Sequence, residues 1–316
     1  MGIQFSKVAV IGSGIMGHGI AIVCARGDVP VTLVDISEDA LRVAEQKLRA
    51  SMAQLVESGL APQESLEPVF GNIRYSSDMK EGVQGADLVF EAVPEKAALK
   101  EAVYEQLDTF CGSETVFASN TSGIPINTLA AMTKRPDKLV GTHFFMPAHL
   151  IPLVEVVQGA RTTPGVIESM MAFLTRLGKK PVHVCMDIPG FIANRLQHAL
   201  AREAMSLVEK GVASAEDVDT VVKTSIAVRM LFTGPMEQRD FNGLDTHLSI
   251  AEYLYKDLEA SRTPLAILRD KVASGDYGLK TGKGFYDWTQ KDTAVVNRDK
   301  NERLIAALKL LQSYEE

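Results

Sequence analysis

Cysteine is scarce in this 316-residue sequence, and the positions of the three present exclude two common kinds of scaffold. Cys24, Cys111 and Cys185 are odd in number and far apart, which fits neither a disulfide framework nor a zinc knuckle. Four of the six histidines have no mutual spacing suited to a metal site: His18, His183, His198 and His247. We therefore expect no bound metal, and a reducing compartment with the cytoplasm as the default.

An excess of positive charge and a transmembrane segment are also missing. Lysine and arginine total 33 against 40 aspartate and glutamate residues, a net charge of −7, so we expect no nucleic-acid partner. The uncharged stretch from Val8 to Ala25 contains four glycines and His18, which argues against a membrane span. No basic region leads into a short apolar stretch near the N-terminus, so a secretory signal is not predicted.

What the sequence does have, within its first 35 residues, is the pattern of strand, glycine-rich turn, helix and strand. The turn, Gly12-Ser13-Gly14-Ile15-Met16-Gly17, follows an apolar strand and opens a helix. Gly12 allows the tight turn, Gly14 lets the backbone approach a pyrophosphate, and Gly17 lets the helix pack on the strand. Asp35 ends the second strand, where a carboxylate binds ribose hydroxyls and repels a 2′-phosphate, so NAD is favoured over NADP. The alternative is a glycine turn that binds no nucleotide.

The pattern changes once along the chain, and the length suggests two folding units. Strand-like runs at 73–75, 86–93 and 115–119 alternate with helical segments, whereas helical patterns follow one another after Pro189-Gly190. We predict an α/β fold: a Rossmann-type doubly wound sheet domain over residues 1–187, then a smaller all-helical C-terminal domain over 188–316. Ligands of such sheets bind beyond the carboxyl ends of the strands, near Glu95 and Ser122.

A histidine and a glutamate lie on two strand-like runs that flank a proline-containing loop. Positions 143 and 155 are equidistant from 149, so antiparallel pairing of the runs would place His143 opposite Glu155, with Cβ atoms roughly 5 Å apart. The carboxylate would fix the imidazole tautomer and stabilise the imidazolium, which makes the pair a candidate general base. The alternative is a histidine paired with a carboxylate for structural reasons alone.

Two further polar side chains are candidates to contact a substrate oxygen. Ser122 can donate a hydrogen bond to that oxygen or accept one from it, although a hydroxyl at such a turn usually caps the next helix. Asn194 lies on the first turn of the long helix predicted after Pro189-Gly190, and its amide can donate to a carbonyl or a developing alkoxide. The alternative for Asn194 is a hydrogen bond at the domain junction.

Over nearly its whole length the sequence resembles the L-3-hydroxyacyl-CoA dehydrogenase family. The motifs that carry the resemblance are, in chain order, Gly12-Ser13-Gly14-Ile15-Met16-Gly17 with Asp35, Glu91-Ala92-Val93-Pro94-Glu95, Ser119-Asn120-Thr121-Ser122, His143-Phe144-Phe145, Leu153-Val154-Glu155-Val156, Pro189-Gly190-Phe191-Ile192-Ala193-Asn194-Arg195, Gly243-Leu244-Asp245 and Lys280-Thr281-Gly282-Lys283-Gly284-Phe285-Tyr286.

This resemblance implies a role for each candidate. His143 would be the catalytic base and Glu155 would orient it, while Ser122 and Asn194 would position the substrate oxygen. Three residues would lie near the nicotinamide half of NAD: Glu95, Lys100 and Lys280. The helical second domain would contribute to substrate binding and to a homodimer, and the activity would belong to fatty acid metabolism.

Two departures from the family pattern bear on the substrate. Between Arg49 and Arg74 the sequence has no lysine or arginine, so the 3′-phosphate of coenzyme A would find no cation there. The segment 225–237 is more similar to the branch of L-gulonate 3-dehydrogenase, lambda-crystallin and carnitine dehydrogenase, which act on free 3-hydroxy acids. In that segment Arg229 could hold a substrate carboxylate, or could form a salt bridge or a solvated helix end. Against the free-acid interpretation, the 280–286 run and Trp288 resemble the acyl-CoA enzymes.

We therefore expect NAD-dependent interconversion of an L-3-hydroxy acid, free or as its CoA thioester, and the 3-oxo compound. One alternative is a hydrolase that uses Ser122, His143 and Glu155, although the Gly-x-Ser-x-Gly turn of such enzymes is missing. Another is a structural protein that binds the cofactor without turnover. The expected partners are a small-molecule substrate and a second copy of the chain, with neither nucleic acid nor a membrane.

Overall fold

A single eight-stranded sheet organises the first part of the chain in the computed structural model, which describes residues 2–314. The strands are, in chain order, β1 (Val8–Ile11), β2 (Val31–Val34), β3 (Ile73–Ser76), β4 (Leu88–Glu91), β5 (Val116–Ser119), β6 (Leu139–Phe144), β7 (Leu153–Val157) and β8 (Lys180–Val184). Across the sheet they follow the order β3-β2-β1-β4-β5-β6-β7-β8. Neighbours are parallel except for β6 and β7, so β7 and β8 run against the other six. The predicted doubly wound sheet is confirmed.

Helices cover this sheet and explain the composition of its strands. The helices of the first part are α1 (Ile15–Arg26), α2 (Glu38–Glu57), α3 (Leu66–Gly71), α4 (Met79–Gly82), α5 (Ala97–Phe110), α6 (Ile126–Ala130) and α7 (Pro164–Arg176). Five central strands, β1, β2, β4, β5 and β6, are buried along their whole length, as parallel strands between two layers of helices must be. Ser37 is the N-cap of α2, since its Oγ accepts a hydrogen bond from Ala40 N at 3.2 Å.

One strand of the sheet, β8, is absent from the sequence-based prediction. Its sequence, Lys180 to Val184, contains Pro181 and His183, and its residues alternate between exposed and half-buried until the last. A proline cannot donate to a central ladder, but it is tolerated on an edge strand, which is where β8 lies. The strand is thus defined by its place at the sheet edge and not by an apolar pattern.

The chain divides into two compact units, Met1–Asn194 and Arg195–Glu316. The predicted boundary lies after residue 187, so the segment 188–194 belongs to the first unit. A structural reason is that the Glu155 carboxylate of β7 accepts hydrogen bonds from the backbone N–H groups of Ile192 and Ala193. The predicted domain organisation remains a proposal with this difference at its border.

Helices make up most of the second unit, as predicted. They are α8 (Ala193–Glu209), which begins two residues before the unit, α9 (Ala215–Val221), a π-helix (Val222–Ile226), α10 (Ala227–Met230), α11 (Pro235–Asn242), α12 (Leu244–Leu254), α13 (Ala266–Ala273) and α14 (Thr293–Gln312). Ser214 is the N-cap of α9, and its Oγ accepts a hydrogen bond from Asp217 N at 3.1 Å. The sequence pattern predicts a final helix near Asn301 to Gln312, and in the structure this helix already begins at Thr293. None of the helices between residues 2 and 314 is long and apolar enough to cross a bilayer.

Candidate active site

Four parallel strands bring the candidate residues of the first unit to one edge of the sheet. β1, β4, β5 and β6 are successive neighbours, and their carboxyl ends lead to the glycine turn, to Val93, to Ser122 and to His143. Three strand spacings separate β1 from β6, which is about 14 Å. This edge therefore offers an extended ligand a path from the glycine turn to the imidazole.

The glycine turn has the geometry that an approaching diphosphate needs. Gly12 has a φ of +98°, and a Cβ there would lie 2.7 Å from the carbonyl oxygen of Ala92. A Cβ on Gly17 would lie 1.7 Å from the carbonyl oxygen of Gly12, so only glycine permits this packing of α1. Gly14, the N-cap of α1, has no atom within 4 Å of a built Cβ and leaves open space before the first-turn N–H groups.

Asp35 is fixed at the end of β2, where the ribose of a dinucleotide would lie. Its Oδ2 accepts hydrogen bonds from the backbone N and the Oγ of Ser13 at 2.9 and 2.8 Å, and its Oδ1 accepts one from Ser37 N at 3.2 Å. The next residue, Ile36, is fully exposed and offers no cation for a 2′-phosphate. The residues of this turn and strand end therefore fit NAD.

His143 and Glu155 face each other across β6 and β7 in the predicted register. Both are buried, and the imidazole Nδ1 lies 2.7 Å from Glu155 Oε2. The other carboxylate oxygen accepts hydrogen bonds from Ile192 N at 2.9 Å and Ala193 N at 2.8 Å. Burial alone would raise the pKa of Glu155, but the hydrogen bonds from His143 and the two backbone N–H groups hold the pKa below its ordinary value.

The carboxylate determines which imidazole nitrogen is available for chemistry. An ionised carboxylate only accepts hydrogen bonds, so Nδ1 of His143 carries a proton, and in the neutral ring Nε2 then has a free lone pair. Within residues 2–314, Nδ1 makes the imidazole's only hydrogen bond. The ring packs between Phe145 and Phe191, with centroids 4.4 and 5.7 Å away. The arrangement suits a general base, and that role of His143 stays a prediction.

One short segment, residues 191–194, connects this base to the other candidate residues. Phe191 packs on the imidazole, Ala193 donates to Glu155, and Asn194 Nδ2 donates to the carbonyl oxygen of Ser122 at 3.1 Å. Ser122 is exposed, and its hydroxyl does not cap α6, whose N-cap is Pro125 without a side-chain hydrogen bond. The structure thus brings Ser122 and Asn194 together, while their roles remain predictions.

Glu95 and Lys100 lie beside the Ser122 turn, and sequence analysis missed a third member of their group. Lys100 is fully buried and contacts Glu95 and Glu91. Glu91 is the last residue of β4, and an ionisable side chain at the end of an otherwise apolar strand, Leu88-Val89-Phe90, was the signal available in the sequence. Whether Glu95 and Lys100 contact the cofactor stays a prediction.

Arg229 and Lys280 belong to the second unit. Arg229 is exposed on α10, directly after the π-helix, and it takes part in no ion pair between residues 2 and 314. Lys280 is exposed in a turn after α13. π-Helical segments are frequent at functional sites, which is consistent with a substrate contact at Arg229. Both assignments remain predictions.

Two family models match consecutive parts of the chain. The model described as 3-hydroxyacyl-CoA dehydrogenase, NAD binding domain, matches residues 7–189. The model described as 3-hydroxyacyl-CoA dehydrogenase, C-terminal domain, matches residues 190–288. The helix α14 lies beyond the second match.

The chain is similar both to dehydrogenases named for coenzyme A thioesters and to one named for a pyridine carboxylate. A 5-formyl-3-hydroxy-2-methylpyridine 4-carboxylate 5-dehydrogenase of Mesorhizobium japonicum is 36% identical over 310 residues, 98% of this chain and 99% of that one. A probable 3-hydroxybutyryl-CoA dehydrogenase of Bacillus subtilis is 36% identical and covers 91% of this chain and 99% of its own. The crystal structure of a 5-formyl-3-hydroxy-2-methylpyridine 4-carboxylic acid 5-dehydrogenase, an NAD+-dependent dismutase, superposes with a TM-score of 0.92 at 35% identity, over 98% of this chain and 99% of that one.

Proposed function

This chain belongs to the 3-hydroxyacyl-CoA dehydrogenase family and is an NAD-dependent oxidoreductase, and we propose that its substrate is a hydroxy acid with a free carboxylate. The general reaction is the interconversion of an L-3-hydroxy acid, or its CoA thioester, and the 3-oxo compound. The family matches favour neither a hydrolase nor a binding protein without turnover. A thioester substrate would instead support a place in fatty acid metabolism.

The chemical step is proposed for His143 and its neighbours. Nε2 of His143 takes the proton of the substrate hydroxyl, and Glu155 stabilises the imidazolium that forms. The Ser122 hydroxyl and the Asn194 amide hold the reacting oxygen. The glycine turn and Asp35 would hold NAD, which would supply the hydride acceptor when bound. The observation that carries this proposal is the 2.7 Å contact between Nδ1 and Glu155 Oε2, which leaves Nε2 free at the carboxyl edge of the sheet.

Substitution of the base tests this step. His143→Gln should lower kcat by about 10²–10⁴-fold, because that is the usual contribution of a general base. The affinity for NADH, measured by fluorescence titration, should remain within about threefold, since the imidazole lies three strands from the glycine turn. A variant that keeps more than a tenth of the wild-type rate would contradict the assignment.

The free-acid proposal is supported by charge at two places. Between 49 and 74 the chain carries Glu57, Glu64 and Glu67 without a lysine or arginine, and the Arg49 guanidinium at the border is already bound to Glu45 at 2.8 Å. A 3′-phosphate would therefore be repelled there. Arg229, by contrast, is an exposed guanidinium without an ion pair among the described residues, which suits bidentate binding of a carboxylate.

A third support comes from the extent of one match. The relative whose name contains a 4-carboxylate covers 98% of this chain, so the match includes most of α14, which lies beyond the family's C-terminal model. Within α14 the side chain of Ile305 is buried. The rings of Tyr314, which follows α14, and Phe232 pack against each other with centroids 5.3 Å apart. Phe232 is three residues after Arg229 in the sequence.

An NADH-formation assay separates the two substrate classes. We would compare 3-hydroxybutyrate, gulonate and carnitine with 3-hydroxybutyryl-CoA, in wild type, Arg229→Met and the control Arg303→Met, an exposed arginine of α14. Loss of a charge-assisted hydrogen bond should raise KM for the accepted acid by about 10- to 100-fold in Arg229→Met only. If the thioester alone reacts and Arg229→Met behaves like the control, the free-acid proposal is wrong.

A homodimer formed through the second unit is proposed on the exposure of its apolar side chains. Met236 and Phe241 of α11 are 77% and 71% exposed, and Leu244 and Leu248 of α12 are each 63% exposed. Several large apolar side chains exposed on neighbouring helices are typical of a protein–protein interface. Light scattering after size-exclusion chromatography should give twice the chain mass, and Leu248→Glu should reduce it; a monomeric wild type would exclude the dimer.

A cytoplasmic location is proposed on the state of the cysteines. Cys24, Cys111 and Cys185 are all free, as expected where thiols stay reduced. Cell fractionation followed by immunoblotting would test this location, and recovery of the protein in a membrane or exported fraction would contradict it.

A further inference from the structure

A group of buried polar side chains connects the end of β4 to the turn that carries Ser122. Its innermost member is Glu91, whose side chain has no solvent exposure. The Glu91 carboxylate accepts hydrogen bonds from Lys100 Nζ at 2.7 and 2.8 Å, from Ser119 Oγ at 2.6 Å and from Val93 N at 3.0 Å. With both oxygens bound on several sides, Glu91 is held rigidly in the sheet.

Lys100 joins this carboxylate to a second one. Its Nζ lies 2.7 Å from Glu91 Oε1 and 3.2 Å from Glu95 Oε2, and its side chain is 1% exposed. Burial alone would raise the pKa of Glu95. The hydroxyl of Thr121, the charge of Lys100 and backbone N–H groups of the turn outweigh it and hold the pKa below its ordinary value. Glu95 is therefore ionised and directed by the ammonium.

The second carboxylate organises the Ser122 turn around one atom. Glu95 Oε1 accepts hydrogen bonds from Thr121 Oγ1 at 2.5 Å, from the backbone N of Ser122 and of Gly123 at 3.0 Å each, and from Ile124 N at 3.2 Å. No strand or helix covers residues 120–125, so ladder hydrogen bonds do not hold these N–H groups. The conformation of the turn depends on where Glu95 Oε1 lies.

We infer that Glu91, Lys100 and Glu95 form a positioning network that sets the place of the Ser122 hydroxyl, a role that rests on the proposed dehydrogenase function. Charged groups this deeply buried contribute little net stability compared with apolar residues of the same size, so stability alone does not account for them. A serine in an exposed turn needs a rigid support if its hydroxyl is to meet a reacting oxygen, because a displacement of about 1 Å can lower a rate by about 100-fold. The network links that turn to a strand of the sheet.

Glu91 provides the sharpest test because it has no exposed surface with which to touch NAD or substrate. The resemblance to the family places Glu95 and Lys100 near the nicotinamide, so substitutions there would mix cofactor binding with positioning. Glu91→Gln keeps the size of the side chain and removes the charge that holds Lys100. A matched control is Asp108→Asn at the other end of α5, where a buried carboxylate likewise binds a cation, Arg135 Nε, at 3.0 Å.

The experiment is a double-mutant cycle with Ser122→Ala, supported by amide hydrogen exchange. Glu91→Gln should lower kcat about 10- to 100-fold, keep the Kd for NADH within about threefold, and change kcat less than about threefold in the Ser122→Ala background. Exchange at the amides of Ser122, Gly123 and Ile124 should accelerate in Glu91→Gln without NAD. Asp108→Asn should alter neither kcat nor this exchange.

Three results would overturn the inference: an equal loss of kcat in both backgrounds, a loss of NADH affinity with kcat unchanged, or unchanged exchange in the turn. Should Glu91→Gln fail to fold, Ser119→Ala carries the same test, because it removes the 2.6 Å hydrogen bond that the fully buried Ser119 Oγ donates to Glu91 Oε2. Full activity of Ser119→Ala in that case would also overturn the inference. If His143→Gln and Ser122→Ala leave turnover intact, the proposed function fails instead, whatever Glu91→Gln does.

Discussion

Replacement of Glu155 by glutamine tests the base and its partner together. The carboxylate of Glu155 accepts three hydrogen bonds, one from His143 Nδ1 at 2.7 Å and two from the backbone N–H groups of Ile192 and Ala193. A glutamine has one acceptor oxygen, which would serve the two N–H groups, so its NH2 group would face Nδ1. That NH2 can only donate, and Nδ1 must then accept. The imidazole proton would move to Nε2, where it blocks base catalysis.

The expected loss follows from this tautomer change. When the carboxylate partner of a catalytic histidine is replaced by its amide, kcat typically falls by about 10⁴-fold, so we expect a loss of about 10³–10⁴-fold for Glu155→Gln. The assay is NADH formation at saturating substrate, with NADH affinity measured separately and expected to be unchanged. A variant within tenfold of the wild-type kcat would refute the tautomer argument.

A second measurement on the same variant concerns acid stability. The folded-state pKa of Glu155 is lowered, so its stabilising contribution is present above the ordinary glutamate value of 4.5 and is lost as the pH falls through the lower folded value. Wild type should therefore lose free energy of unfolding more steeply than Glu155→Gln below pH 4.5 in urea titrations. Parallel curves for the two proteins would show that the carboxylate is not held in its ionised form.

The remaining predictions concern the glycine turn and one buried histidine. Gly17→Ala should abolish NADH binding and lower the Tm, because its Cβ would lie 1.7 Å from the carbonyl oxygen of Gly12. Gly14→Ala should keep the Tm and lose only affinity for NADH, since no atom lies within 4 Å of a Cβ at that position. Fluorescence titration with thermal denaturation checks both, and normal binding by Gly17→Ala would contradict the packing. Burial, aided by the charge of His18, lowers the pKa of His149 to about 4. Between pH 6.5 and 4 the unfolded chain therefore binds more protons than the folded protein. The free energy of unfolding should fall by about 3 kcal/mol as the pH is lowered from 6.5 to 4. His149→Leu should flatten this slope in urea titrations, and an unchanged slope would refute the assignment.

The sequence allowed the sheet and the His143–Glu155 register to be predicted because both depend on local patterns. Buried parallel strands are continuous apolar runs, and a symmetric antiparallel pair fixes which residues face each other. β8 escaped prediction because an edge strand needs no such run, and Pro181 argues against a strand when its neighbours are unknown.

The Glu91 network could be predicted only in part. Glu95 and Lys100 were identified through family resemblance, while Glu91 is visible in the sequence only as a charge at the end of an apolar strand. The partners of Glu91 depend on how α5 packs beside β4. No sequence pattern predicts that the ammonium of Lys100, nine residues after Glu91, will lie against this carboxylate. The same holds for Asn194 and Ser122, whose contact depends on the return of the chain after β8.

The two halves of the proposed site differ in how far apart their members lie along the chain. His143 and Glu155 are 12 positions apart, whereas Asn194 and Ser122 are 72 apart. Closing the longer loop costs about 1.6 kcal/mol more in chain entropy. The imidazole–carboxylate pair can thus assemble within a local hairpin, while the contact between Asn194 and Ser122 forms only when distant segments have met. Dehydrogenase turnover would then indicate that the first unit has folded completely. Formation of the His143–Glu155 pair alone would not indicate this.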